Sequence, residues 1–157
     1  MVEHVPLLII GAGPAGLAAA DTALAHGMEV MLLDEQFGPG GQIYRNIADT
    51  NEARLKILGD DYAHGKSLLP VLQRGGLDYR HGAVVWEVSP DRIVYFTEGG
   101  RARAVAADRI ILATGALERP MPFPGWTLPG VMSCGAAQIM LKAGGLIAMA
   151  DQLVGEA

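Results

Sequence analysis

The segment Gly11-Ala12-Gly13-Pro14-Ala15-Gly16 places three glycines at the spacing of a phosphate-binding turn. Each residue type has a physical task there. Gly11 lets the chain turn sharply off a preceding strand, Gly13 lets main chain approach a pyrophosphate, and Gly16 lets a following helix pack tightly on the sheet. Pro14 suits the first turn of that helix, where its missing N–H costs nothing. The N–H groups of Ala15 and Gly16 then face the phosphates at the positive end of the helix dipole. Asp34 follows Gly16 at close to the ~20 residues expected for a carboxylate that accepts ribose hydroxyls. Glu35 is the alternative acceptor. The chemistry that this pattern supports is the binding of a dinucleotide.

The elements that must position these residues are legible on either side. Val5-Pro6-Leu7-Leu8-Ile9-Ile10 reads as a buried strand, and the helix after Gly13 is closed by Gly27. Ala20 provides a small residue where the helix must approach the strands. Val30-Met31-Leu32-Leu33 builds a second strand that ends at Asp34. The whole is a βαβ unit rather than an isolated glycine turn. An N-terminal signal peptide is the competing reading of Val5–Ala20. Glu3, the lack of a positively charged start and the Gly/Pro interruptions argue against it.

Composition bounds the rest. The 157 residues, half of them apolar and 21 of them glycine, suit one α/β domain with a sizeable core. A net charge of −5 leaves no electrostatic footprint for nucleic acid. No apolar stretch approaches the ~20 residues that span a bilayer. The single cysteine, Cys134, excludes an internal disulfide and any multi-cysteine metal site, and no metal ligand set is expected. A reducing, cytoplasmic setting is the corresponding expectation.

Beyond Asp34, Gly38-Pro39-Gly40-Gly41-Gln42 predicts a loop with special backbone angles. Gly41 allows main chain to lie against a flat ligand, and Gln42 offers it a donor and acceptors; a plain surface loop is the alternative. Helices are expected at about 51–58 and 61–74. Tyr62, Leu68, Leu69 and Leu72 are available to bury a side of the second, and Pro70 kinks or splits it. Leu77–Arg80 reads as a third strand. The runs 83–88, 93–97 and 102–106 read as an antiparallel meander, and 109–113 as a separate buried strand that ends at Thr114-Gly115. A final helix is expected at about 133–142 with Ser133 as its N-cap. Cys134 is expected to pack as a small buried apolar residue, and the apolar tail from Ala143 has no clear partner.

These residues resemble the two-dinucleotide-binding-domain flavoproteins, the superfamily of thioredoxin and glutathione reductases. The glycine turn with Asp34 resembles its FAD fingerprint, and Ala113-Thr114-Gly115 its second flavin-contacting turn. Gly40-Gly41-Gln42 resembles the segment near the flavin. By the same resemblance, main chain at Ala83 or Val84 borders the adenine. Three further stretches narrow the likeness: Gly40–Arg45, Asp78–Ala83, and Glu118-Arg119-Pro120 with Phe123–Met132. They resemble the flavoprotein subunits of opine oxidase, hydrogen cyanide synthase and D-hydroxyproline dehydrogenase type. The resemblance covers roughly residues 5–142.

It implies a Rossmann-like FAD-binding domain, a parallel sheet with an antiparallel β-meander, that is incomplete relative to the family. NAD(P)H binding would need the second domain that the family carries. The implied function is an FAD-binding segment of an amino-acid or opine oxidase or dehydrogenase, incomplete for turnover alone. The implied partner is another subunit or the remainder of a longer chain. A non-catalytic dinucleotide-binding or electron-transfer module is the alternative. A simple NAD-binding domain is disfavoured, because it would show more repeating βα units. No catalytic residue is assigned: His4, His26, His64 and His81 lack an obvious carboxylate pairing in sequence. Arg45 and Arg119 are open between binding an anion and ordinary surface positions. Cys134 is followed at CxxC spacing by Ala137, so two-thiol exchange is not available.

Overall fold

The computed structural model describes residues 2–146. They belong to two compact units, residues 1–115 and 116–157. The first unit is built on one six-stranded sheet in the order β3-β2-β1-β6-β5-β4. Its strands are β1 (Glu3–Ile10), β2 (Val30–Asp34), β3 (Leu77–His81), β4 (Val84–Val88), β5 (Ile93–Glu98) and β6 (Arg101–Leu112). β3, β2, β1 and β6 run parallel, and β4, β5 and β6 run antiparallel.

β1 and β2 are near-continuous apolar runs because both faces of the parallel sheet are covered. On one face, helix α1 (Pro14–Ala25) buries Leu17, Ala20 and Leu24 against Leu7, Ile9, Val30 and Leu32. On the other, Leu8, Ile10, Met31 and Leu33 share a cluster with Val94, Phe96, Val105 and Ala107. The meander therefore curls over the second face of β1 and β2. The Gly99-Gly100 loop has positive φ at both positions, 56° and 75°, which suits the primed turn of a two-residue hairpin.

Two expected strands are one. The runs 102–106 and 109–113 form the single strand β6, which pairs with β5 over Arg101–Ala106 and with β1 over Val105–Leu112. The strand changes partner without breaking, and this joins meander to parallel sheet. The run expected to be buried at 109–113 is not: Arg109, Ile111 and Leu112 are exposed and Ile110 is half-buried, because past Ala106 only β1 pairs with the strand among the described residues.

Helix α2 (Glu52–Leu58) is capped by Asn51, whose Oδ1 accepts from the Arg54 N–H at 2.9 Å. The single helix expected at 61–74 is instead α3 (Asp60–Ala63) followed by a 3-10 run, His64–Gln73. Pro70 explains the change, since it lacks an N–H and its ring obstructs an α-helical turn. Tyr62 is buried as expected; Leu68 and Leu72 are half-buried and pack on the α1 side, where Val71 is the buried member.

In the second unit, α4 (Cys134–Ile139) is capped by Ser133 and continues as a π-helical turn, Met140–Gly144. The Glu118 carboxylate accepts from the Gly135 N–H at 3.0 Å and bonds Ser133 Oγ. Both contacts hold its pKa below the usual carboxylate value. Cys134 is exposed rather than buried, because α4 buries none of its residues. The apolar tail lies outside the described residues from position 147 onward.

Candidate functional site: a glycine-lined cradle at the carboxyl edge of the sheet

The carboxyl ends of β1, β2 and β6 bring together the turn after β1, the acidic end of β2 and the turn after β6. Gly11 N–H donates to Leu33 O at 2.7 Å, and Ala113 N–H donates to Ile10 O at 2.8 Å. These bonds fix the glycine turn between its neighbouring strands. Gly11 has φ +107°, and a Cβ there would lie 2.4 Å from Ala113 O. Glycine is thus required both by conformation and by close approach of two main chains. At Gly16 a Cβ would fall 1.8 Å from Gly11 O. The first turn of α1 could not sit on the glycine turn with any larger residue.

Gly13 is different. It is extended, at φ −73° and ψ −178°, and a Cβ there would meet only Gly41 Cα at 3.8 Å. Among the described residues nothing demands glycine there. Pro14 starts α1, and no side chain caps the helix. Open space beside uncapped N–H groups at a helix N-terminus is a cradle that a Cβ would fill and an anion fits.

The 38–45 loop is locked onto this turn. Gly40 N–H donates to Ala12 O at 2.8 Å, and a Cβ on Gly41 would lie 3.0 Å from Gly13 Cα. Gly40 and Gly41 therefore have an internal reason to be glycine beyond any ligand: main chain packs on main chain. Gln42 is exposed next to them. Ala83 is buried, and its N–H donates to Asp34 O at 2.8 Å, while Val84 is exposed. Thr114 and Gly115 are exposed at the turn after β6.

Asp34 is 5 % exposed. Its Oδ2 accepts from Ala12 N–H at 2.5 Å and its Oδ1 from Gln36 N–H at 2.7 Å. Burial pushes its pKa up, and the two main-chain bonds oppose that rise. Glu35 is exposed.

Several neighbours of Asp34 were not legible in sequence. Arg45 Nη1 donates to Gln36 Oε1 at 3.0 Å, while its Nε is buried without a partner. The Tyr79 hydroxyl is also buried without a partner, and burial followed by the Asp34 charge pushes its pKa up to about 12. The Phe37 and His81 rings lie 6.2 Å apart at the same edge. The β2–β3 register, which pairs Leu32 with Tyr79 and Asp34 with His81, brings the two β3 residues here, and the loop after β2 brings Phe37 and Arg45. His4 does find a carboxylate, Asp108 at 3.1 Å, but at the amino end of β1, remote from the cradle, with both side chains exposed. Among the described residues no group of three His, Cys, Asp or Glu side chains is arranged to hold a metal ion, and no helix is long and apolar enough to cross a membrane.

Known proteins share both the sequence and the fold. Residues 5–148 match the pyridine nucleotide-disulphide oxidoreductase family. An opine oxidase subunit of Rhizobium meliloti is 50 % identical over 151 residues, covering 91 % of this chain and 29 % of that protein. Hydrogen cyanide synthase subunit HcnB of Pseudomonas aeruginosa is 36 % identical over 155 residues, covering 94 % of this chain and 32 % of that protein. The chain thus spans roughly three-tenths of the length of these relatives. The crystal structure of L-proline dehydrogenase from P. horikoshii superposes with a TM-score of 0.69 at 24 % identity, over 94 % of this chain and 30 % of that one. That likeness is one of fold.

Proposed function

The chain belongs to the pyridine nucleotide-disulphide oxidoreductase family, and from that premise we propose that it is the FAD-binding segment of a flavin-dependent oxidoreductase. The carrying observation is Gly13. It is the one glycine of the turn that internal packing does not require, and it borders the uncapped N-terminus of α1. A diphosphate is the anion whose approach gives that glycine a purpose.

In this reading Gly11, Gly13, Pro14, Ala15 and Gly16 form the diphosphate cradle. An acidic residue at the end of β2, Asp34 or Glu35, accepts the ribose hydroxyls. Ala83 and Val84 border the adenine. Gly41, Gln42, Ala113, Thr114 and Gly115 border the flavin half. Bound flavin supplies the redox chemistry, and the protein supplies binding, orientation and electrostatics. The family name includes disulphide chemistry, yet this chain carries one cysteine. Intramolecular dithiol exchange within it is therefore excluded.

The reading extends to an amino-acid or opine oxidase or dehydrogenase type that works beside a partner subunit; the names of its relatives, subunits of opine oxidase and of hydrogen cyanide synthase, support the oxidase type and the partner, and the single cysteine is the ground for a cytoplasmic setting. The test is direct. After incubation with FAD and gel filtration, the protein should retain a flavin absorption band. Uptake of NAD without flavin overturns the reading. Bleaching of the retained flavin by an amino-acid or opine donor identifies the substrate class. Retention without bleaching identifies a module that handles electrons only beside a partner.

A further inference from the structure

The loop that packs on the glycine turn is also held from behind. Its near end is fixed where Gly40 N–H donates to Ala12 O at 2.8 Å. Its far end meets α3 and the 3-10 run that follows. The Tyr44 ring rests on Gly65, where a Cβ would lie 2.5 Å from two ring atoms. Two hydroxyls then take the next two main-chain carbonyls. Tyr62 Oη donates to Arg45 O at 2.7 Å, and Thr50 Oγ1 donates to Asn46 O at 2.6 Å. The two hydroxyl oxygens themselves lie 3.0 Å apart, and both side chains are buried.

The carbonyls they hold belong to the peptides on either side of Asn46, whose φ is +64°. Left-handed backbone is costly for any residue but glycine and persists where the surroundings impose it. A bond to each flanking peptide fixes both dihedrals of Asn46, since the peptide planes are themselves rigid. Gly40 and Asn46 thus become the fixed ends of a five-residue arch, 41–45, whose Gln42 and Ile43 are exposed. Neither hydroxyl belongs to the cradle: Thr50 precedes α2, and Tyr62 lies in α3. Apolar side chains would fill these buried positions as well; what the hydroxyls add is one defined course for the arch.

We propose that Tyr62 and Thr50 are positioning residues that clasp the 41–45 arch from behind and preset Gly41 and Gln42 for the flavin half of the dinucleotide. The assignment rests on the FAD reading above and adds to it two residues that touch no ligand. With the clasp closed, the arch holds its binding conformation before the ligand arrives. With it open, the competent fraction falls, and the apparent affinity falls by the same factor. ADP meets the 11–16 turn, which its own strands hold, and does not sense the change.

Calorimetric titration with FAD and with ADP tests it on the wild type, Tyr62→Phe, Thr50→Val and Thr50→Ser. Tyr62→Phe and Thr50→Val should each weaken FAD by about fivefold, the factor that one ordinary hydrogen bond carries, and leave ADP unchanged. Thr50→Ser keeps the hydroxyl and should bind both ligands as the wild type does. A merely structural role would weaken FAD and ADP alike. That result, an unchanged FAD affinity, or a Thr50→Ser variant that behaves as Thr50→Val overturns the clasp and leaves the cradle standing. A wild type that binds ADP without FAD overturns the clasp together with the flavin reading, and one that binds neither overturns the cradle as well. Should a variant fail to fold, hydrogen exchange of the ligand-free wild type decides: the Tyr44 and Ile47 amides, bonded to Gly40 O and Tyr44 O, should be protected, and free exchange there overturns the preset arch.

Discussion

Gly13→Ala separates ligand-imposed glycine from fold-imposed glycine. Its backbone, φ −73° and ψ −178°, is open to alanine, and the nearest atom to a new Cβ is 3.8 Å away. Reduced freedom of the unfolded chain stabilises such a substitution by about 0.4–1 kcal/mol. The loss of glycine at a helix N-cap opposes it, because alanine is the poorer cap by a comparable amount, about 0.5–1 kcal/mol. The two effects nearly cancel, so the melting temperature should move by no more than about 2 °C, given about 2–4 °C per kcal/mol for a chain of this size. Binding should respond differently. The methyl group projects into the space where a diphosphate must approach the uncapped N–H groups. The affinity for FAD or ADP should fall at least tenfold, about 1.4 kcal/mol. Thermal melting and calorimetric titration on one preparation read both quantities. Unchanged affinity would refute the claim that Gly13 faces the diphosphate. A melting temperature lowered by more than about 4 °C, the upper end of 1 kcal/mol, would refute the claim that the fold does not need it.

Gly11→Ala and Gly16→Ala should behave oppositely, with Cβ atoms 2.4 Å and 1.8 Å from main-chain oxygens. Each should lower stability by more than about 2 kcal/mol, the scale of backbone strain and overpacking, and thermal melting measures the drop. Tyr79→Phe removes a buried hydroxyl without a partner and should leave stability at neutral pH unchanged or higher. The folded-state pKa of Tyr79 is raised from 10.0 to about 12. Its contribution is therefore complete below pH 10 and is lost as pH rises toward 12, because the unfolded chain ionises first. The wild type should lose stability relative to Tyr79→Phe across that window in denaturant melts. A parallel pH dependence in both proteins would contradict the burial of that hydroxyl. Asn51→Ala removes the α2 cap bond to Arg54 N–H. It should speed hydrogen exchange in α2 by the equivalent of about 1 kcal/mol, with little effect on global melting because α2 buries no residue.

The legible parts of the fold were those whose cause is local. The βαβ unit from β1 through α1 to β2 rests on apolar runs, a helix start at Pro14 and a stop at Gly27, where φ is +75°. The caps Asn51 and Ser133 are short-range chemistry for the same reason. What escaped was decided by partners distant in sequence. Nothing near positions 107–108 announces that β6 continues through them, because its continuity comes from β1 on one side and β5 on the other. The exposure of Ile111 and Leu112 has the same origin, since an apolar strand looks buried until its pairing is known, and among the described residues only β1 pairs with it there. Pro70 signalled trouble in its helix, but which side the segment buries was set by Leu68, Val71 and Leu72 packing toward α1.

The candidate site divides in the same way. Local sequence was enough to say which residues could meet a diphosphate, because glycine spacing and a helix start are properties of a few consecutive peptides. Long-range packing then separated them. It set Gly11 against Ala113 and left Gly13 with no contact that requires glycine among the described residues, while the contact of Gly16 with Gly11 is a constraint within the turn itself. It also turned Asp34 inward onto Ala12 and left Glu35 in solvent. The two carboxylates are adjacent and chemically alike, so only the arrangement of the glycine turn and the loop around them buries one and leaves the other in solvent.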